Sequence, residues 1–253
     1  MSDVTIVRSA VAPMHAEGRV SSPQVSQRLA GHAVTVLATE GDWLRVRGDD
    51  AYEGWMHRGY VDAGGAASLT RDDRLLSLGC VVRDGEHDWP RALPLGAWLR
   101  STETVVSGEA IDSVARAQSF PRDASAIAAS AVSRFAGTSY QWGGLTPWGA
   151  DCSGIVQTAF WLHGVSLPRD AWQQADIGRD AGSDVTGWLA GDLVFFTDRT
   201  DARITHVGIS LGGARMVHLA LGRGGYAVEQ LDSRDDTYVT ALMTRFVAAR
   251  RVI

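Results

Sequence analysis

Between residues 18 and 62 apolar positions recur at every second residue over short runs, the period of a strand with one buried face. Val34–Leu37, Trp43–Arg47 and Glu53–His57 each read as a strand. Glu40-Gly41-Asp42 and Gly48-Asp49-Asp50 supply turn residues between them. Strands at this spacing predict a small β-barrel. Small residues at Asp62-Ala-Gly-Gly65 close it and mark a linker. Residues 68 to about 118 repeat the strand pattern less clearly, with Leu93–Trp98 and Thr104–Gly108 as candidates, and predict a second, degenerate barrel.

From Asp123 the period lengthens. Ile127, Ala128, Ala131, Val132 and Phe135 share a helical face, with Asp123 placed to cap the helix and Gly137 to stop it. A second helix opens at Asp151 or Cys152, with Ile155, Val156, Ala159, Phe160 and Leu162 on its apolar side. Strands follow at Asp192–Phe196, Thr205–Leu211, Ala214–Ala220 and Tyr226–Leu231. Helices followed by consecutive strands with short turns predict an α+β domain with an antiparallel sheet. The expected organisation is a barrel at 1–65, a second at 66–120 and the α+β domain at 121–253.

The 253 residues carry a net charge of −5, and all 24 basic residues are Arg. An acidic balance with scattered arginines argues against nucleic-acid binding, which rests on clustered positive charge. No run approaches the roughly 20 apolar residues that span a bilayer, so no membrane partner is expected. Met1–Arg8 lacks a charged segment followed by an apolar one, so no secretory signal is read and a cytoplasmic location is expected. Two cysteines, Cys80 and Cys152, are too few for a disulfide framework or a four-Cys zinc site.

Cys152 lies between glycines in Gly149-Ala-Asp-Cys-Ser-Gly154, where a helix begins. Unpaired N–H groups and the positive end of the helix dipole favour thiolate there, although a small buried residue at a helix start fits the same position. His206 and His218 interrupt two apolar strands joined through Gly212-Gly213. A two-residue loop puts the histidines on opposite faces. A three-residue loop spanning 211–213 sets 206 directly opposite 218 on one face, and this register is the expected one. A Cys with two His then suits nucleophilic catalysis, in which one His moves the proton and a third group orients that His. No fourth ligand stands at metal-binding spacing, so neither a metal nor any other cofactor is expected.

Tyr140-Gln-Trp-Gly-Gly144, Asp151-Cys-Ser-Gly154, Leu167-Pro-Arg-Asp170, Gly191–Phe196, His206-Val-Gly208 and His218 stand in an order that resembles the NlpC family of papain-like cysteine peptidases. These enzymes cleave bacterial cell-wall peptides. The resemblance covers about residues 123 to 250. Leu29-Ala-Gly31, Gly41-Asp-Trp43 and Tyr52-Glu-Gly-Trp55 resemble bacterial SH3-type domains, which a subgroup of the family carries at its N-terminus. The implied fold class is α+β, a papain-like domain of helices on an antiparallel sheet behind one or two SH3-like barrels.

The resemblance implies Cys152 as nucleophile, His206 as base, His218 as its orienting residue and Tyr140 as oxyanion support. It implies substrate contacts at Asp151, Ser153, Asp170 and Trp142, with the first barrel closing the site and Tyr52 as its tyrosine. It also implies a monomer that cuts the bond between γ-D-glutamate and a diamino acid in murein peptides with a free N-terminal L-Ala, in peptide recycling. A non-catalytic binding protein and an amidase or acyltransferase are the alternatives. The chain departs from the family pattern at Ala171, where Ser is common, and at Pro23 and Gln24, where the barrel often has an acid and only Glu17 lies nearby.

Overall fold

The structure, a computed structural model, describes residues 3–62, 74–85 and 87–253. It divides into two compact units, Met1–Ser119 and Phe120–Ile253.

In the first unit, β1 (Asp3–Ile6), β2 (Val11–His15), β3 (Gln24–Leu29), β4 (Ala33–Glu40), β5 (Trp43–Arg47) and β6 (Glu53–His57) form a sheet in the order β1-β4-β5-β6-β2-β3. The alternation read in β5 is real: Val46 is buried while Arg45 and Arg47 are exposed. Val46 joins Val7, Ala12, Met14, Val34, Met56 and Val61 in one core, against which Tyr52 packs. The strand expected at Val34–Leu37 runs on to Glu40, because a register shift between Val36 and Ala38 lets it bend and continue. The linker expected at 62–65 lies, past Asp62, outside the described residues.

The described part of 66–120 holds β7 (Leu76–Asp84), β8 (His87–Leu93) and β9 (Glu103–Ile111), ordered β8-β7-β9, followed by α1 (Ser113–Ser119). The strand expected at Leu93–Trp98 is not one. Leu93 ends β8, Pro94 cannot donate to a ladder, Gly96 takes φ +93°, and Trp98 returns as an isolated bridge to Leu76. Cys80, Val82 and Leu93 share a core with Leu29, which ends β3, and Ala30, which follows it.

In the second unit, α2 (Ala124–Phe135) is capped as expected, Asp123 accepting from the Ala126 N–H at 2.8 Å. The short hairpin β10 (Leu145–Thr146) and β11 (Gly149–Ala150) leads into α3 (Cys152–Leu162), capped by Asp151. Then come α4 (Ala171–Gln174), β12 (Arg179–Asp180), β13 (Leu193–Phe196), β14 (His206–Gly212), β15 (Arg215–Ala220), β16 (Gly225–Gln230), α5 (Thr237–Met243) and β17 (Phe246–Arg251). The sheet runs β12-β17-β13-β14-β15-β16, with neighbours antiparallel. This is the α+β architecture expected of 121–253.

Helix α3 is buried on nearly every side, packed on α2, β14 and β15. Burying Ile155, Val156, Phe160 and Leu162 contributes on the order of 10 kcal/mol, an upper figure because the unfolded chain already hides some apolar surface. That packing fixes the first turn of the helix, and with it Cys152. Among the described residues no helix is long and apolar enough to cross a membrane.

The β14–β15 hairpin corrects the expected register. Ile209 pairs with Val217, Ser210 with Met216 and Gly212 with Arg215. The loop is the two residues Gly213 and Ala214, both at positive φ (+60° and +61°), and Leu211 is an extra residue in β14. Carried along the strands, this register sets 206 opposite 220. His218 is therefore one diagonal step from His206, on the same face rather than directly opposite. The bulge restores the shared face that a plain two-residue loop would have lost.

Candidate active site

The glycine-rich approach to α3 is packed too tightly for side chains. A Cβ on Gly154 would lie 2.1 Å from the Gly144 carbonyl oxygen, and one on Gly144 would lie 2.3 Å from that of Gly149. Asp151 holds this loop to the helix. Its carboxylate accepts from the N–H groups of Gly154 and Gly143, each at 2.8 Å, and from the Ser153 hydroxyl at 3.2 Å. Arg169, itself buried, grips both oxygens of Asp151 at 2.7 and 3.0 Å and donates to Ser153 Oγ at 2.8 Å. The side chains of Asp151 and Ser153, expected to meet substrate, are thus hydrogen-bonded within the protein and hold the position of the loop.

Cys152 is the first residue of α3 and is buried. Burial, and then the Asp151 carboxylate, push its thiol up to about 12; the backbone of Val207, Arg169 and the backbone of Ser153 pull the other way. The contact with Val207 brings the thiol to the start of β14, where His206 is the preceding residue.

Three titratable side chains continue from there. His206 Nε2 lies 2.8 Å from His218 Nδ1, and His218 Nε2 lies 3.3 Å from Glu229 Oε1. Arg223 donates to both oxygens of Glu229, at 2.8 and 2.9 Å, and also to Asp236, which caps α5. Burial, and then the repulsion that a protonated His218 would add, hold the half-buried His206 down at about 3. Burial would raise the Glu229 carboxyl, but the bonds from His218 and Arg223 outweigh it and hold it at about 2.

Tyr140 is half-buried, and burial, with the nearby Cys152 and Asp151, raises its phenol far above the ordinary value, so it stays a hydrogen-bond donor. Asp170 forms a capping box with Gln173 at the start of α4 and accepts from the Trp172 indole N–H at 3.3 Å. It keeps partial exposure, and Arg203 stacks over Trp172 at 4.9 Å. Trp142 is exposed. Tyr52 belongs to the first unit, where it packs on that unit's core.

Sequence reading missed Glu229, Arg223 and Asp236, and gave Arg169 no role. In β16 it is Val228 that is exposed and Glu229 that is buried, at 37% and 5%. An acid at an inward position of a strand, paired with the strand that carries His218, was the available signal. Among the described residues no group of three or more His, Cys, Asp or Glu is arranged to hold a metal.

A thiol at a helix N-terminus packed on an antiparallel sheet, with paired histidines on that sheet, is the arrangement of a papain-like cysteine peptidase. The NlpC/P60 family model matches residues 137–245, and a bacterial SH3 domain model matches residues 10–62. A relative from Bacillus subtilis named gamma-D-glutamyl-L-lysine dipeptidyl-peptidase is 30% identical over 237 residues, covering 84% of this chain and 77% of its own. Dipeptidyl-peptidase 6 of Lysinibacillus sphaericus is 26% identical, covering 96% of this chain and 97% of its own. In fold, the chain is similar to an NlpC/P60 family protein from Bacillus cereus, at a TM-score of 0.78 and 19% identity, over 98% of this chain and 99% of that one. The chain belongs to the NlpC/P60 family, and it is a cysteine peptidase of the bacterial cell wall.

Proposed function

We propose that the protein hydrolyses the γ-D-glutamyl–diamino acid bond of murein peptides that carry a free N-terminal L-Ala. Cys152 attacks the γ-carbonyl of D-glutamate while His206 takes the thiol proton, and Tyr140 with backbone N–H groups holds the oxyanion. His206 then gives the proton to the leaving amine, and water releases the acyl group from sulfur. The observation that carries the reading is the 2.8 Å bond between His206 and His218 at the strand that meets Cys152. The half-exposed Asp170 carboxylate supports the amine requirement, since a fixed anion is what an ammonium group needs. The relative named for γ-D-glutamyl-L-lysine supports the bond. A peptide with a free L-Ala has already been cut from glycan, and that supports the reading of a recycling reaction.

The test is mass spectrometry of L-Ala-γ-D-Glu-diaminopimelate and L-Ala-γ-D-Glu-L-Lys, with free and acetylated N-termini. Wild type is expected to release L-Ala-D-Glu from free peptides only, and Cys152→Ala to release nothing. Asp170→Asn is expected to narrow the gap between free and acetylated substrates. Cleavage by Cys152→Ala would overturn the mechanism, and an unchanged gap in Asp170→Asn would overturn the amine assignment.

A further inference from the structure

A neutral imidazole can accept the thiol proton only if the nitrogen that faces the thiol is bare. His206 uses Nε2 to reach His218, so Nδ1 is the nitrogen left for Cys152. Which of the two carries hydrogen is undetermined by His206 alone, since both tautomers can bond to His218, as donor or as acceptor. Something further along must set the direction.

We propose that Glu229 is the positioning residue that sets it. A carboxylate is acceptor only, so the contact with Glu229 requires His218 to carry its hydrogen on Nε2. A neutral His218 then offers a bare Nδ1 as acceptor. His206 must donate to it from Nε2, which leaves His206 Nδ1 bare for the thiol. The direction of every bond in the row follows from one fixed anion. That anion is itself anchored: Arg223 donates to both oxygens, and its Nη2 donates as well to Asp236, the cap of α5. Glu229 and His218 are both buried, so water does not compete for these bonds. Arg223 lies over the Tyr238 ring at 4.3 Å, which ties the anchor to α5 a second time.

This inference rests on His206 being the base, and the experiment separates the two. Glu229→Gln keeps the shape and removes the charge. Its amide can present either its oxygen or its NH2 group to His218, and in either orientation a donor meets the Arg223 guanidinium, so the direction is no longer enforced. Fixing a tautomer is worth about 10⁴ in kcat where the carboxylate touches the base itself. Glu229 acts one imidazole further away, so kcat is expected to fall about 10- to 100-fold, with KM within about threefold.

Nitrogen-15 NMR of histidine-labelled protein, assigned with His206→Asn and His218→Asn, reads the tautomers directly. Wild type is expected to show hydrogen on Nε2 of both rings. Glu229→Gln, with an unchanged circular dichroism spectrum, is expected to show a second tautomer at His206. Hydrogen on Nδ1 of His206 in wild type, or a doubly protonated His218, overturns the proposal without any variant. Unchanged tautomers and kcat in Glu229→Gln also overturn it, while loss of activity in His206→Asn and Cys152→Ala leaves the catalytic pair standing. Retained activity in those two removes the base assignment instead.

Discussion

Replacing Arg169 by Met should cost the second unit about 3 kcal/mol. Removing one partner of a buried ion pair costs about 3–5 kcal/mol because the other charge is left without its counterion. Asp151 and Arg169 have side chains only 8% and 1% exposed, so solvent does not screen their contact. Asp151 would still hold the two glycine N–H groups and the Ser153 hydroxyl, which places the loss at the lower end of that range. The assay is urea unfolding followed by tryptophan fluorescence. Asp151→Asn/Arg169→Met is the informative partner, since Asn caps a helix as well as Asp does and the double variant buries no lone charge. It should recover part of the loss and lie within about 2 kcal/mol of wild type, the remainder coming from the Asn amide nitrogen, which must face one of the two glycine N–H groups that Asp151 holds with separate oxygens. The thiol adds a second readout. Arg169 favours the thiolate and Asp151 opposes it, so alkylation of Cys152 should slow in Arg169→Met and recover in the double variant. A loss below about 1 kcal/mol in Arg169→Met, or a double variant as damaged as the sum of the singles, would refute the reasoning.

Two further outcomes follow from the same geometry. His206 is held well below the ordinary histidine value of about 6.5, and its base-competent neutral form persists above its own pKa. The acid limb of the kcat/KM profile should therefore fall below pH 6.5 or so, and a limb at or above that value would sink the assignment of cause. Gly154→Ala separates propensity from packing: in a helix, Ala is worth about 1 kcal/mol over Gly. Here its Cβ would meet the Gly144 carbonyl oxygen at 2.1 Å, so the variant should be less stable and about 100-fold less active. A stabilised or fully active Gly154→Ala would show that the loop yields.

Local chemistry was legible where a single residue type decides the backbone. Asp123 marked a helix start because a short acid before an apolar run has one favourable use there, and it caps as read; the second helix was placed at Asp151 or Cys152, and Asp151 proves to be its cap. Strand β17 was not legible. Phe246–Arg251 buries only Ala249 fully, so no alternation announces it; its place beside β13 is set by the sheet and by Arg251 pairing with the buried Asp192. The hairpin was half legible. Gly212-Gly213 marked the turn, but the positive φ of Ala214 and the bulge at Leu211 are choices of the sheet's twist that composition does not carry. The same blindness hid Glu229, since hydrophobic patterning puts Val228 inside and the acid outside. The reverse arrangement holds only because His218 and Arg223 wait there to pair with it.

The electrostatics of the site explain why so much of its structure lies behind the reacting atoms. Burial disfavours the charged form of Cys152 and of His206 alike, so at neutral pH both are held neutral. Burial thus works against a stored thiolate–imidazolium pair and favours a proton that leaves sulfur as sulfur meets the carbonyl carbon. Groups that favour thiolate are already in place for that moment: the start of α3, the Val207 backbone and the Arg169 charge that offsets Asp151. A proton transfer made on demand needs its acceptor lone pair aimed beforehand, because a neutral imidazole has only one. The burial that keeps thiol and imidazole uncharged is thus what makes the direction of the His206–His218–Glu229 row matter. An exposed site, where His206 could titrate freely, would have no comparable need for a buried carboxylate two residues removed from the chemistry.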